Sequence, residues 1–283
     1  MVDPNFLVIG AQKCGTSWLL EMLRQHPDVF TPSRKELDFF NRPSNYNRGI
    51  EWYQNQFAGY QGEKAIGEFT PNYLWVSSSD EKELPSGRIW NAHELVHKHY
   101  PDMKLIVSLR DPVQRAISGY HHFIRSRRIA PSSRIVKVGH QYGIIDMGFY
   151  HSQLREWFKL FTPDQFLILI FENDIVHNPE HTMRRVYRFL KVDEQFKPAN
   201  AEKKYHARPG YFYHYLRYYF PKFTRKLASH APSLTTVLQK IDFPKIKVTD
   251  EEIEELAGIY ADENRRLETL LGHSLPWKNC GKS

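Results

Sequence analysis

The run Gly10-Ala11-Gln12-Lys13-Cys14-Gly15-Thr16-Ser17 carries the residue types that hold a phosphate group. A loop of this kind turns successive backbone N–H groups toward one point. A helix beginning at Thr16 adds the partial positive charge of its N-terminus. Gly10 and Gly15 have the separation found in the nucleotide-triphosphatase pattern G-x-x-x-x-G-K-[ST]. Here, however, Thr16 stands where that pattern has lysine, and a lysine lies inside the loop instead, at Lys13. From there an ammonium can approach the far side of a bound phosphate. The lost lysine argues against ATP or GTP hydrolysis, as does the lack of a convincing acidic magnesium ligand at a strand end. An ordinary turn would need the glycines but not Lys13, Thr16 and Ser17 beside them.

A second constellation is Arg110-Asp111-Pro112-Val113-Gln114-Arg115-Ala116-Ile117-Ser118-Gly119-Tyr120. Asp111 followed by Pro112 predicts a helix start, with the carboxylate as cap and proline at the first helical position. Ser118 then lies two turns along, on the same helix face as the cap. Arg110 leaves the C-terminal end of a predicted strand, which is where α/β sheets bind ligands. An arginine fork with a serine hydroxyl suits a phosphate monoester. For Arg110 alone, pairing with a nearby carboxylate is an equally open reading.

These residues must be positioned by strands and helices. Phe6–Ile9 reads as a short buried strand, and residues 16–25 place Trp18, Leu19, Met22 and Leu23 on one helical face. Lys104–Leu109 and Phe166–Phe171 read as further buried strands. Helical patterns flank them at 89–99, 112–125, 149–160 and 179–190, and a last amphipathic helix is predicted over Asp250–Leu271. The fold class is therefore α/β: a central parallel sheet, P-loop-like, with helices on both faces and a helical, aromatic cap region. A single domain over 1–283 is expected. Two stretches interrupt the pattern, and loops of their length are often lids or binding segments. Residues 126–145 are basic and irregular, with Arg127, Arg128, Arg134 and Lys137. Residues 203–245 are rich in Tyr, Phe, His and Lys. A solvated basic surface and an aromatic helical cap are the plainer readings of these two.

The chain has 283 residues, 41% hydrophobic and 25% charged, which is ordinary globular composition. No apolar run approaches the ~20 residues of a membrane helix. The 39 Lys+Arg against 32 Asp+Glu leave a formal charge of +7, which favours anionic partners without choosing among them. Two cysteines, Cys14 and Cys280, exclude a disulfide framework. The expectation is a cytoplasmic protein, unless an N-terminal anchor precedes this segment.

Taken together, the two constellations resemble the sulfotransferases that use 3′-phosphoadenosine 5′-phosphosulfate (PAPS), and most of all the heparan-sulfate-type branch with its bacterial relatives. The GAQKCGTSWL segment looks like that family's 5′-phosphosulfate loop, and RDPVQRAISGY looks like its 3′-phosphate motif. Lys35-Glu36-Leu37-Asp38-Phe39-Phe40 matches a Lys-Glu-x-x-Phe-Phe signature. Gly148-Phe149-Tyr150 with Gln153, Leu154 and Trp157, then Phe171-Glu172, and finally Asn264, Leu267, Leu270-Leu271-Gly272 and Trp277 follow the family's order. The likeness is good over about 5–192, fair over 250–278 and poor over 203–245.

The resemblance implies sulfuryl transfer from PAPS to an acceptor hydroxyl, with release of adenosine 3′,5′-bisphosphate (PAP) and no required metal. A sulfuryl group carries less negative charge than a phosphoryl group, so a lysine plus backbone donors can stabilise the leaving group. The resemblance assigns Gln12, Lys13, Cys14, Gly15, Thr16, Ser17 and Trp18 to the 5′-phosphosulfate, with Cys14 as packing rather than nucleophile. It assigns Arg110 and Ser118 to the 3′-phosphate, and Arg208 to a further contact. Glu36 becomes the base that takes the acceptor's proton, Lys13 the catalytic cation, and His122, one turn beyond Ser118, a third catalytic candidate. A surface Lys35–Glu36 pair and a solvent-facing His122 are the plain alternatives. Relatives often carry Glu-Lys-(Ser/Thr)-Pro where this chain has Glu68-Phe69-Thr70-Pro71. Phe69 removes a second catalytic lysine, and Glu68 is left to orient the substrate or to act as an alternative base.

Three acceptors fit: an anionic glycan, a small molecule, or an acyl chain on an acidic carrier protein. Neither nucleic acid nor membrane is expected as a partner. Two competing readings are a P-loop kinase, which would depend on Mg-ATP, and a non-catalytic basic module for glycans or nucleic acid, which would survive mutation of Lys13 and Glu36.

Overall fold

The computed structural model describes residues 2–76, 91–201, 216–240 and 248–277. Five parallel strands form one sheet: β1 (Phe6–Gly10), β2 (Val29–Phe30), β3 (Ala65–Phe69), β4 (Lys104–Leu109) and β5 (Phe166–Ile170), in the order β2-β3-β1-β4-β5. Every residue of β1 is buried, as expected for a central parallel strand with both faces covered. Its alternate side chains serve two cores. Leu7 and Ile9 join Leu105, Val107, Leu109 and Trp157 on one face. Phe6 and Val8 join Ile106, Leu169, Leu19, Leu23 and Tyr187 on the other.

The helices occur where the periodicity places them: α1 (Thr16–Leu23), α2 (Ala92–His99), α3 (Pro112–Arg125), α4 (Tyr150–Trp157), α5 (Pro179–Leu190) and, after two cap helices, the long helix Asp250–Leu271. The cap helices are α6 (Pro221–His230) and α7 (Pro232–Lys240), which makes the last helix α8. Asp111 caps α3 as predicted, its carboxylate accepting from the Val113 and Gln114 amides at 2.9 and 3.4 Å. Thr249 and Glu252 form a reciprocal cap at the start of α8. The helix α8 packs on α4 and α3 and closes a third core around Val113, Tyr120, Ile145 and Tyr260.

Two of the five strands, the two-residue β2 and β3, go beyond the three that the sequence predicts. The sequence of β3, Ala-Ile-Gly-Glu-Phe, has no β-branched run and carries a charge, so its propensity is weak. It is a strand because it lies between β2 and β1, with Phe6 opposite Gly67 and Val8 opposite Phe69. Gly67 is required by proximity, since a Cβ there would sit 2.2 Å from the Phe6 carbonyl oxygen. Gly67→Ala is expected to cost about 1–3 kcal/mol, measured as a lower urea midpoint. An unchanged midpoint would mean that β3 yields to the methyl without loss.

Candidate active site

The loop leaving β1 is fastened from behind. The Ala11 amide donates to the Ser108 carbonyl at 2.8 Å, and the Cys14 amide donates to the Ala11 carbonyl at 3.2 Å. The Ser108 hydroxyl donates to the Cys14 carbonyl at 2.6 Å. The Gln12 carbonyl faces the Cys14 thiol at 3.6 Å, and the Lys13 carbonyl faces Arg110 Nη1 at 3.5 Å. Lys13 and Gly15 both take left-handed backbone, with φ of 71° and 87°. At Gly15 the glycine is obligatory for a second reason, because a Cβ would lie 2.8 Å from Ile175 and 3.0 Å from Phe171. No side chain caps α1, so its first amides point out of the loop without an intrahelical partner. Gln12 Oε1 is buried with no hydrogen-bond partner. Burial pushes the Cys14 thiol up to about 11, which keeps it an inert packing group.

Glu36 also has a left-handed backbone, φ 59°, and its amide donates to the Phe69 carbonyl at 3.0 Å. Its carboxylate is 43% exposed and lies 3.8 Å from the Lys35 ammonium. The surface-pair reading misses the other end of Lys35, whose Nζ donates to Ser17 Oγ at 2.7 Å. Lys35 therefore bridges the loop of Glu36 and the phosphate loop. Burial pushes its ammonium down from its ordinary value, against the pull of Glu36. Phe69 removes one lysine from this region, and Lys35 brings another to Ser17.

Beneath Glu36 lies a buried polar lattice. Glu68 is 2% exposed. Its oxygens accept from the hydroxyls of Thr70 and Tyr73, each at 2.7 Å, and from Tyr53 at 3.4 Å. Those hydroxyls in turn accept from backbone amides: Asp38 on Thr70 at 3.3 Å, Phe39 and Phe40 on Tyr73 at 2.9 and 3.3 Å. Phe39 and Phe40 pack on Tyr53. Enclosed in this way, Glu68 holds the 36–40 turn, a role beyond the two expected of it, which were to orient the substrate or to act as an alternative base.

Arg110 is gripped on several sides. Its carbonyl accepts from the Tyr150 hydroxyl at 3.0 Å, and its guanidinium lies 5.0 Å over the Phe171 ring. The neighbouring Asp111 amide donates to Glu172 at 3.1 Å, and the other oxygen of Glu172 accepts from Trp277 at 3.0 Å. The Phe171-Glu172 and Trp277 motifs are thus a strut under Arg110. Arg110 Nε is buried without a hydrogen-bond partner. Ser118 is buried on α3, and so is Arg115, which is fully enclosed near Cys14, Tyr150 and Tyr260. Sequence reasoning missed Arg115; its spacing of three from Ser118 and seven from His122 was the available signal. His122 is within electrostatic reach of Lys13 in the loop. Burial, then the charges of Lys13, Arg125 and Arg128, push it down to about 4. It is a neutral imidazole at pH 7.

Other expectations are relocated. The Trp18 indole donates to the Ala201 carbonyl at 2.9 Å, so its side chain anchors a distant segment. Arg134 belongs to the packing of α8, with Glu251, Glu252 and Glu255 within 3.9 Å, and is not part of an open basic surface. Arg208 and Cys280 lie outside the described residues.

Burial pushes the Glu68 carboxyl up to about 7 from 4.5. The folded chain thus binds a proton that the unfolded chain releases. Its contribution to stability is full below pH 4.5 and is lost as pH rises to 7. Glu68→Gln is expected to flatten this part of the pH–stability curve in urea titrations. An unchanged slope would place the proton on another group.

Residues 3–205 match the family model described as sulfotransferase domain. Mouse heparan sulfate glucosamine 3-O-sulfotransferase 6 is 28% identical over 281 residues, covering 97% of this chain and 73% of that protein. Human heparan sulfate glucosamine 3-O-sulfotransferase 5 is 26% identical over 220 residues, 74% of this chain and 59% of that one. The membrane-associated sulfotransferase kil1 of Dictyostelium discoideum is 39% identical over 125 residues, 43% of this chain and 23% of that protein. Among solved structures, a sulfotransferase from Alicyclobacillus acidocaldarius superposes with a TM-score of 0.67 at 24% identity, covering 97% of this chain and 98% of that one. Mouse sulfotransferase SULT7A1 complexed with PAP gives 0.53 at 14% identity, covering 95% and 89%. These two similarities show the fold. Together with the family match, they make the chain a member of the sulfotransferase family, transferring a sulfuryl group from PAPS.

Proposed function

We propose that this enzyme sulfates a hydroxyl on an anionic acceptor, a glycan being the class that best fits, with Glu36 as the base. The observation that carries the reading is Lys35. One ammonium touches both Ser17 of the phosphate loop, at 2.7 Å, and the Glu36 carboxylate, at 3.8 Å. A general base at Glu36 would then lie beside the group that holds the leaving phosphate, which supports in-line transfer.

In this scheme the loop amides, Lys13, Thr16 and Ser17 hold the 5′-phosphosulfate. Arg110 and Ser118 hold the 3′-phosphate; the unpartnered Arg110 Nε is a donor that suits an anion there. Glu36 removes the hydroxyl proton as the acceptor oxygen bonds to sulfur. The bond from sulfur to the phosphate oxygen breaks, and its electron pair stays on the phosphate, where Lys13 and Lys35 stabilise it. The scheme calls for no metal. Lys13, Arg125 and Arg128 all act on His122, so an acceptor approaching that side meets cations around a neutral imidazole. This supports an anionic acceptor, as do the heparan sulfate enzymes among the relatives.

Metal-free calorimetry is expected to show tight binding of PAP and weak binding of adenosine 5′-monophosphate, with no preference for Mg-ATP. A preference for Mg-ATP would return the kinase reading. Glu36→Gln is expected to lower kcat by about a hundredfold or more with PAP affinity unchanged, and near-normal turnover would remove Glu36 from its role. Lys35→Ala is expected to lower kcat by about a hundredfold and to weaken PAP binding. An effect on stability alone would make Lys35 a packing residue.

A further inference from the structure

Between Glu202 and Asp242 the sequence has no acidic residue. Part of this stretch folds as a helical hairpin in which α6 packs on α7, each helix opening on a proline at its first position. The hairpin keeps its large apolar side chains in water: Phe220 is 55% exposed, Phe223 57%, Leu234 48% and Val237 54%. Phe220 and Phe223 are three residues apart, as are Leu234 and Val237, so each pair shares a helix face. Arg217, Lys222, Arg225 and Lys226 are exposed among them. Neither the phosphate loop nor the Glu36 turn uses these residues.

Exposed phenylalanines within an uninterrupted basic field narrow the choice of partner. A second copy on this face would set arginine and lysine against their own kind. A soluble polyanion would pair with the cations and leave the phenylalanines in water. An anionic bilayer takes both, the rings at the acyl boundary and the cations among the phosphates. We propose that the 216–240 hairpin docks the enzyme on an anionic lipid surface. No helix among the described residues is long and apolar enough to span a membrane, so the attachment is peripheral. It departs from the expectation that no membrane is a partner.

The Tyr219 hydroxyl lies 3.4 Å from that of Ser132, which ties the hairpin to the loop that follows α3. Arg125 and Arg128, earlier in the chain than Ser132, act on His122. The docking itself does not rest on the catalytic reading.

Sedimentation of the full chain with vesicles tests the proposal. Binding is expected to phosphatidylglycerol–phosphatidylcholine vesicles, to fall with salt, and to be absent with phosphatidylcholine alone. The double variant Phe220→Ser/Phe223→Ser and, separately, Lys222→Glu/Arg225→Glu should each lower the partition coefficient by at least about tenfold. PAP binding should be unchanged in both, which shows that the fold and the nucleotide site are intact. No binding to the anionic vesicles, or full binding by the phenylalanine variant, would overturn the proposal. So would a dimer in analytical ultracentrifugation that the phenylalanine variant disperses, which would assign the face to a second copy. Retention on heparin without vesicle binding would assign it to a soluble polyanion.

Discussion

The site depends on how one loop is fastened: the carbonyls of residues 11–14 are engaged from within the protein, by donors that include the loop's own Cys14 amide. The Ser108 hydroxyl, the Cys14 amide and thiol, and Arg110 face the carbonyls of residues 11–14. With the oxygens held back, the loop presents N–H groups and the uncapped start of α1, an arrangement that favours an anion. Left-handed backbone at Lys13 and Gly15 is the conformational cost of that inversion. The close approach of Ile175 and Phe171 to Gly15 explains how neighbouring side chains keep the loop in place.

Glu36 depends on the sheet through a different route. Its turn sets Leu37, Phe39 and Phe40 in the core, and its backbone is held by amides that bond to the hydroxyls of Thr70 and Tyr73. Glu68 orients those hydroxyls. A buried carboxylate is costly unless its hydrogen bonds are satisfied, and here the hydroxyls satisfy it while their own acceptor capacity fixes the backbone. The interaction thus converts a buried carboxyl group on β3 into the position of a turn about thirty residues earlier in the chain. That part of the site was hidden from periodicity, because β3 is stabilised by its neighbours rather than by its own residue types.

Features that rest on local chemistry were legible in the sequence. Buried apolar runs marked β1, β4 and β5, Asp111-Pro112 marked the start of α3, and the glycine spacing marked the phosphate loop. Features that rest on tertiary pairing were not. Lys35 looked like half of a surface pair because spacing shows its neighbour Glu36 and not Ser17, eighteen residues back. Arg134 looked like part of a basic patch because its three glutamates lie on α8, more than a hundred residues away. The resemblance located Glu172 and Trp277 but assigned them no role; only their shared bond behind Arg110 does so.

The same cations set the character of both ends of the site. Lys35 is desolvated and its ammonium weakened, Arg115 is wholly enclosed near Cys14, and Lys13 helps to keep His122 neutral. Positive charge held at low hydration is unfavourable on its own and becomes favourable when an anion shares the space. A nucleotide carrying phosphates at both ends would relieve Lys13 and Lys35 through one end and Arg110 through the other. Burial is the larger cause of the low His122 value and the cations the smaller, so a bound anion would offset only part of it.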